Sequence, residues 1–128
     1  MARILLVDDE KNVRFTLGKA LKNHNHEVFD ASDGNEALKI LKQCRIDLVI
    51  TDIIMPNREG LETIQEIRMN WPDVKVIAMS GGGRVRNAEF LKVAKKMGAD
   101  VVLKKPFSMN AFTDEVRKLL DGALWQAG

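Results

Sequence analysis

Four short apolar runs in the sequence are each followed by a side chain that can do chemistry. Asp8 and Asp9 follow the first run, Asp52 the second, Ser80 the third and Lys105 the fourth. Continuous apolar runs of this kind are typical of strands buried on both faces of a parallel sheet. The carboxyl ends of such strands lie at one edge, where open α/β folds bind ligands. The sequence therefore predicts one acidic pocket that also holds a hydroxyl and a lysine.

Three carboxylates in one pocket repel one another, and burying them together is costly unless a cation neutralises them. Mg²⁺ suits such a site because it takes one or two carboxylates together with waters and a phosphate oxygen. Asp52 would then be a nucleophile towards a phosphoryl group, with Lys105 offsetting charge on the transferring oxygens and Ser80 donating a hydroxyl. For any single aspartate a helix cap or a turn remains an alternative, with Asp9 capping the first helix.

Composition limits the function classes. A chain of 128 residues fits one domain, and a formal charge of +2 argues against a dedicated nucleic-acid binder. The single cysteine, Cys44, excludes a disulfide within the chain and fits a reduced compartment. The first apolar run is too short for a signal sequence or a membrane span. We therefore expect a cytoplasmic protein with no membrane partner and no direct nucleic-acid binding.

Strand patterns alternate with helical patterns along the whole chain. The first helix is predicted to begin near Glu10 with Phe15 on its core-facing side, and the last helix is predicted to end near Leu124. Strict alternation predicts a parallel sheet with helices on both faces. We expect one domain over residues 1–124 and a short tail over residues 125–128.

The motifs resemble those of the receiver domain of two-component response regulators, in order and over essentially the whole chain. The residues that carry the resemblance are Asp8-Asp9, Asp52, Met55-Pro56, Gly60, Ser80 and Lys105-Pro106-Phe107. The resemblance implies an α/β, flavodoxin-like three-layer sandwich with five helices and a five-stranded parallel sheet of order 2-1-3-4-5. In that order the first and third strands are neighbours, which would bring Asp8, Asp9 and Asp52 together.

The resemblance also implies a role for each site residue. Asp52 is the phospho-acceptor, Ser80 is the switch hydroxyl, and Lys105 pairs with the phosphoryl group, its bond to Pro106 being cis. The implied Mg²⁺ ligands are Asp8 (largely through water), Asp9, Asp52 and the backbone carbonyl of Ile54. Lys104 is expected to face solvent.

The implied function is a phosphorylatable switch. It accepts a phosphoryl group from a histidine kinase or histidine phosphotransfer protein, and it acts on a downstream effector or a fused output domain. Its only chemistry would be its own phosphorylation and dephosphorylation. Val102 stands where receivers commonly carry an aromatic residue. We therefore expect the switch to act through the Gly81-Gly82-Gly83 loop after Ser80 more than through the fifth strand.

Two other functions remain as alternatives. A Mg²⁺-dependent hydrolase could use Asp52 as a transient nucleophile, but such enzymes usually need an acid two residues later, and Ile54 is there. A scaffold module with a vestigial pocket is the second alternative, and the intact set of acids, serine and lysine argues against it. The Gly81-Gly82-Gly83 run lacks the lysine and hydroxyl residue that end a phosphate-binding NTPase loop.

Overall fold

The computed structural model describes residues 1–53, 60–80 and 87–127, with the backbone alone for residues 87–91 and 122–127. Within these ranges five strands alternate with five helices. The strands are β1 Arg3–Val7, β2 Glu27–Ala31, β3 Leu48–Asp52, β4 Lys75–Ser80 and β5 Val101–Lys104. The helices are α1 Lys11–Asn23, α2 Gly34–Gln43, α3 Gly60–Asn70, α4 Asn87–Met97 and α5 Met109–Ala127.

The strands form one parallel sheet of order β2-β1-β3-β4-β5. This confirms the expected strand order and fold class. Because β1 pairs with β3, with Val7 opposite Thr51, the residues that follow these two strands leave the sheet side by side. The pairing of β3 with β4 places Asp52 opposite Met79 in the same way. The order of the strands therefore collects the predicted site residues at one edge.

Alternate residues of each strand face two separate cores, which explains the continuous apolar runs. In β1, Leu5 and Val7 pack among residues of α2, α3 and α4. Ile4 and Leu6 pack on the other face, among residues of α1 and α5. Both faces of the sheet are covered, so the inner strands β1, β3 and β4 each contain a continuous apolar run, whereas the edge strand β2 carries Glu27 and Asp30.

The expected orientation of Phe15 is wrong. Leu17 and Leu21 are buried on α1, whereas Phe15 is 70% exposed. A helix turns by about 100° per residue, so a residue two positions before Leu17 lies nearly on the opposite side. Phe15 therefore lies outside the buried face of α1, although it is an apolar residue in a helical pattern.

Some element ends also differ from those expected. The first helix begins at Lys11, which agrees with the predicted start near Glu10, but α5 continues to Ala127, past the expected end near Leu124. β4 includes Ser80 as its last residue, so the serine belongs to the strand. The domain boundary at residue 124 stays a prediction. In the described ranges, no helix combines the length and apolar character needed to cross a membrane.

Candidate functional site

The ammonium group of Lys105 lies between two aspartates that come from different strands. Its Nζ donates to Oδ2 of Asp8 at 3.1 Å and to Oδ2 of Asp52 at 3.3 Å. Asp8 is fully buried, Asp52 is 6% exposed, and the Lys105 side chain is 20% exposed. Residues separated by 97 and 53 positions in sequence thus form one buried ion-pair cluster.

The two aspartates keep Lys105 protonated. Burial by itself would lower the pKa of Lys105, because it removes water from the ammonium group. The charges of Asp52 and then of Asp8, together with the hydrogen bonds to both, outweigh burial and raise the pKa above its usual value. The lysine is therefore a permanent cation at neutral pH.

Asp8 is fixed by hydrogen bonds on every polar group. Its N–H donates to the carbonyl of Ala31 at 3.1 Å, and its own carbonyl accepts from Nη1 of Arg14 at 2.6 Å. Its Oδ1 accepts from the N–H of Glu10 at 2.9 Å, and its Oδ2 accepts from Lys105. A buried carboxylate that is fully paired in this way keeps one orientation.

The carboxylates of Asp8, Asp9 and Glu10 form an acidic group whose ligand atoms all lie within 4.8 Å of one another. Asp9 and Glu10 are exposed, and Asp8 is buried beneath them. Glu10 joins this group in addition to the predicted site residues, and the sequence signal for it is the run of three consecutive acids, Asp8-Asp9-Glu10. The alternative in which Asp9 caps α1 is wrong, because Glu10 holds the capping position and its side chain makes no capping bond.

The donor set at this edge suits a hard divalent cation. Asp8, Asp9, Glu10 and Asp52 supply carboxylate oxygens, and the ammonium of Lys105 provides one positive charge between Asp8 and Asp52. Oxygen ligands of this kind match Mg²⁺, and an added divalent charge would reduce the repulsion among the acids. The acidic group can therefore hold a metal ion. The expected ligand Ile54 lies outside the described residues.

The backbone around Asp52 is held by close approach of α3. The hydroxyl of Thr51 donates to the carbonyl of Asp52 at 3.0 Å, and the N–H of Gly60 donates to the carbonyl of Ile53 at 2.7 Å. A Cβ atom at Gly60 would collide with the carbonyl of Asp52 and lie 2.6 Å from the Cα of Ile53. Glycine is therefore required where α3 begins.

The remaining predicted site residues lie around the same edge. Ser80 is 3% exposed and pairs with Lys104 in the register of β4 and β5. The bond between Lys105 and Pro106 is cis, as expected. Lys104 is exposed, also as expected, and Val102 is half-buried against the core on the α2, α3 and α4 side. The Gly81-Gly82-Gly83 loop lies outside the described residues.

Comparison with known proteins identifies relatives of the whole chain. The family model described as "Response regulator receiver domain" matches residues 4–117. The chain is 30% identical over 118 residues to "Sporulation initiation phosphotransferase F" of Bacillus subtilis, covering 92% of this chain and 93% of that protein. It is 34% identical over 122 residues to "Sensor kinase CckA" of Brucella abortus, covering 94% of this chain. The chain spans only 13% of that kinase's length.

Solved structures agree with these relatives. NtrX from Brucella abortus superposes with a TM-score of 0.90 at 29% identity, over 98% of this chain and 28% of that chain. The response regulator TrrA from Thermotoga maritima, solved in complex with Mg²⁺ and BeF, superposes with a TM-score of 0.81 at 37% identity. That match covers 93% of this chain and 99% of the Thermotoga chain.

Proposed function

The chain belongs to the receiver domain family of response regulators, and from this we propose that Asp52 is its phospho-acceptor and Mg²⁺ its cofactor. Receiver domains are signalling modules of two-component systems that work with kinases or phosphotransfer proteins. The observation that carries the proposal is the placement of Lys105 between Asp52 and Asp8. This arrangement brings a buried candidate nucleophile, a cation and an acidic group together at one edge of the sheet.

The proposed step transfers a phosphoryl group from a phosphohistidine to Asp52. A carboxylate oxygen of Asp52 attacks phosphorus, the phosphorus–nitrogen bond of the donor breaks, and the imidazole leaves with the electron pair and takes a proton. Lys105, whose pKa is raised, remains charged and offsets the negative charge on the phosphoryl oxygens. Ser80, buried at the end of β4, is the proposed switch hydroxyl.

The proposed Mg²⁺ site uses Asp8, Asp9, Asp52 and the backbone carbonyl of Ile54, with Glu10 beside it. When bound, Mg²⁺ would offset charge on the phosphoryl oxygens and on the carboxylates. The clustering of the Asp8, Asp9 and Glu10 oxygens supports this, and so does the Thermotoga regulator that was solved with Mg²⁺ and BeF. Lys105 donates hydrogen bonds to two of these acids, Asp8 and Asp52, and is proposed to pair with the phosphoryl group on Asp52.

The proposed partners are a histidine kinase or phosphotransfer protein and a downstream effector or output domain. The donor must approach the edge of the sheet where α1 begins, and Phe15 lies exposed on that helix. The four basic residues of α1 are Lys11, Arg14, Lys19 and Lys22, and the helix contains no acid. We therefore place an apolar contact at Phe15 within a basic helix surface that favours an acidic partner. The proposed compartment is the cytoplasm, which suits a chain with one free cysteine.

Intact-mass spectrometry after incubation with acetyl phosphate and Mg²⁺ tests the proposed acceptor. The wild-type protein should gain one phosphoryl group, and Asp52→Asn should gain none. Asp47→Asn is the matched control, because Asp47 lies at the other end of β3 and bonds the N–H of Arg3. That variant should be phosphorylated like the wild type.

Two results would contradict the proposal. An unchanged wild-type mass with acetyl phosphate and with a panel of histidine kinases would remove the phospho-acceptor function. A phosphorylated Asp52→Asn protein would place the acceptor elsewhere in the chain.

A further inference from the structure

We propose that Arg14 is a positioning residue for metal binding, because its hydrogen bond to the carbonyl of Asp8 holds the backbone from which the carboxylate of Asp9 extends. This inference rests on the proposed Mg²⁺ site. Arg14 lies in the first turn of α1 and is half-buried. Its Nη1 donates to the carbonyl of Asp8 at 2.6 Å, so a side chain from the helix fixes the backbone of the turn that precedes it.

Among the residues that the structure describes, none makes a hydrogen bond or ion pair that would orient the side chain of Asp9. Asp9 is exposed. Asp8, by contrast, is buried and is held by Glu10 and Lys105 through its own carboxylate. Within the described part of the chain, the position of the Asp9 carboxylate therefore depends on the backbone, which sets the direction of the Cα–Cβ bond and so the space that the carboxylate can reach.

Two hydrogen bonds hold the peptide groups on either side of Asp9. The peptide that joins Asp8 to Asp9 is planar, so holding the Asp8 carbonyl also holds the N–H of Asp9. The next peptide joins Asp9 to Glu10, and its N–H donates to Oδ1 of Asp8 at 2.9 Å. With both flanking peptide planes held, the Cα–Cβ bond of Asp9 keeps one direction, and in this arrangement a carboxylate oxygen of Asp9 lies within 4.8 Å of those of Asp8 and Glu10. Loss of the Arg14 bond would release the first of these planes.

The charge of Arg14 acts on Mg²⁺ binding in the opposite direction. A cation beside the pocket repels Mg²⁺, so electrostatics alone predicts that removing Arg14 tightens binding. Among the described residues, no carboxylate forms a salt bridge with the Arg14 guanidinium. The positioning role predicts weaker binding instead. The sign of the change distinguishes the two explanations.

Calorimetric titration with Mg²⁺ tests this inference. Arg14→Met removes both the donor and the charge, and its Kd for Mg²⁺ should rise by about tenfold, as is typical when a residue that orients a metal ligand is lost. Arg14→Lys keeps the charge and one donor group and should bind Mg²⁺ more tightly than Arg14→Met. Lys11→Met is the matched control. It removes a cation from the same turn without a contact to Asp8, so its Kd should be unchanged or lower.

The outcomes of the titration distinguish the role of Arg14 from the metal site itself. An Arg14→Met protein that binds Mg²⁺ as tightly as the wild type, or more tightly, overturns the role of Arg14 and leaves the proposed function intact. A wild-type protein that does not bind Mg²⁺ overturns the metal site and this inference together. Melting curves in chelator show whether the variants fold. If Arg14→Met is unfolded at the titration temperature, Arg14→Gln replaces it, because its shorter side chain is neutral and should weaken binding in the same way.

Discussion

The backbone N–H of Lys105 donates a hydrogen bond of 3.0 Å to the backbone carbonyl of Ser80. This bond continues the pairing of β4 with β5 beyond Ser80 and Lys104. The proposed switch residue and the proposed phosphoryl-binding lysine are thereby joined through their backbones. A displacement of Ser80 towards a phosphoryl group would move the backbone from which the Lys105 side chain extends.

Hydrogen exchange should detect this coupling when beryllofluoride and Mg²⁺ are added as a phosphoryl mimic. The amide of Lys105 and the end of β4 should change more than Val101 to Leu103, because Val102 is a short, stiff side chain that cannot swing into a new position. Ser80→Ala should reduce the response and leave Asp52 open to phosphorylation. The measurement is peptide-resolved exchange on both proteins. A response that survives Ser80→Ala, or one concentrated in β5, would show that the chain switches by another route.

Stability at high pH should depend on Lys105. Burial alone would lower its pKa, but Asp52 and Asp8 raise it, so the folded protein holds this proton more tightly than the unfolded chain does. This contribution to stability is fully present below the unfolded pKa of about 10.4 and is lost as the pH rises through the higher folded pKa. Replacing Lys105 with Met should cost about 2 kcal/mol of unfolding free energy at neutral pH, the scale of a charged hydrogen bond.

Urea unfolding between pH 7 and strongly alkaline pH measures this effect. The difference in unfolding free energy between wild type and Lys105→Met should be constant at neutral pH and should decrease only above about pH 10.4. Lys104→Met is the matched control, because Lys104 is the neighbouring lysine and is exposed. The unfolding free energy of Lys104→Met should match that of the wild type over the whole pH range. A difference between wild type and Lys105→Met that already decreases near neutral pH would contradict the raised pKa of Lys105.

Two glycine substitutions should have opposite effects on stability. Gly60→Ala places a Cβ against the carbonyl of Asp52 and 2.7 Å from that of Ile53, so the backbone must shift, at a cost of about 1–3 kcal/mol. Phosphorylation of Asp52 should slow as well, because the carbonyl belongs to the acceptor. Gly18→Ala meets only ordinary contacts at 3.8 Å or more and should stabilise α1 by about 0.5–1 kcal/mol. Denaturant midpoints and acetyl phosphate labelling give both results, and a neutral Gly60→Ala would refute the close approach.

Loss of the exposed ring of Phe15 should weaken binding of the phosphodonor protein without changing the reactivity of Asp52. Phe15→Ser should reduce phosphoryl transfer from a phosphohistidine protein by about tenfold, because burial of an aromatic side chain contributes about 1.5–3 kcal/mol. Labelling by acetyl phosphate should be unchanged, because the pocket is untouched. Met69→Ser is the control, because Met69 is 74% exposed near the end of α3 that is remote from Gly60. An equal loss of phosphorylation with the phosphohistidine protein and with acetyl phosphate would mean that Phe15 supports the fold and not the docking of the partner.

The sequence alone determined the strands and the edge at which the chemistry is located. Both faces of the sheet are covered, so the inner strands β1, β3 and β4 each contain a continuous apolar run that can be recognised in the sequence, whereas the edge strand β2 carries Glu27 and Asp30. The residue types after those runs then predicted that Asp8, Asp52 and Lys105 would meet, and they do. The meeting of these three residues was predictable because a buried strand and its end can be recognised from consecutive residues in the sequence.

The tertiary structure alone decided how the pocket is held and which surface surrounds it. Phe15 fits a helical apolar pattern as well as Leu17 does, and only the packing of α1 on the sheet leaves it exposed. The bond from Arg14 to the carbonyl of Asp8 depends on a side-chain rotamer and on the path of the turn. Residue spacing predicts neither feature. A local pattern shows that a segment is helical, but it does not show which face of the helix is buried. It also does not show which backbone group a long side chain reaches.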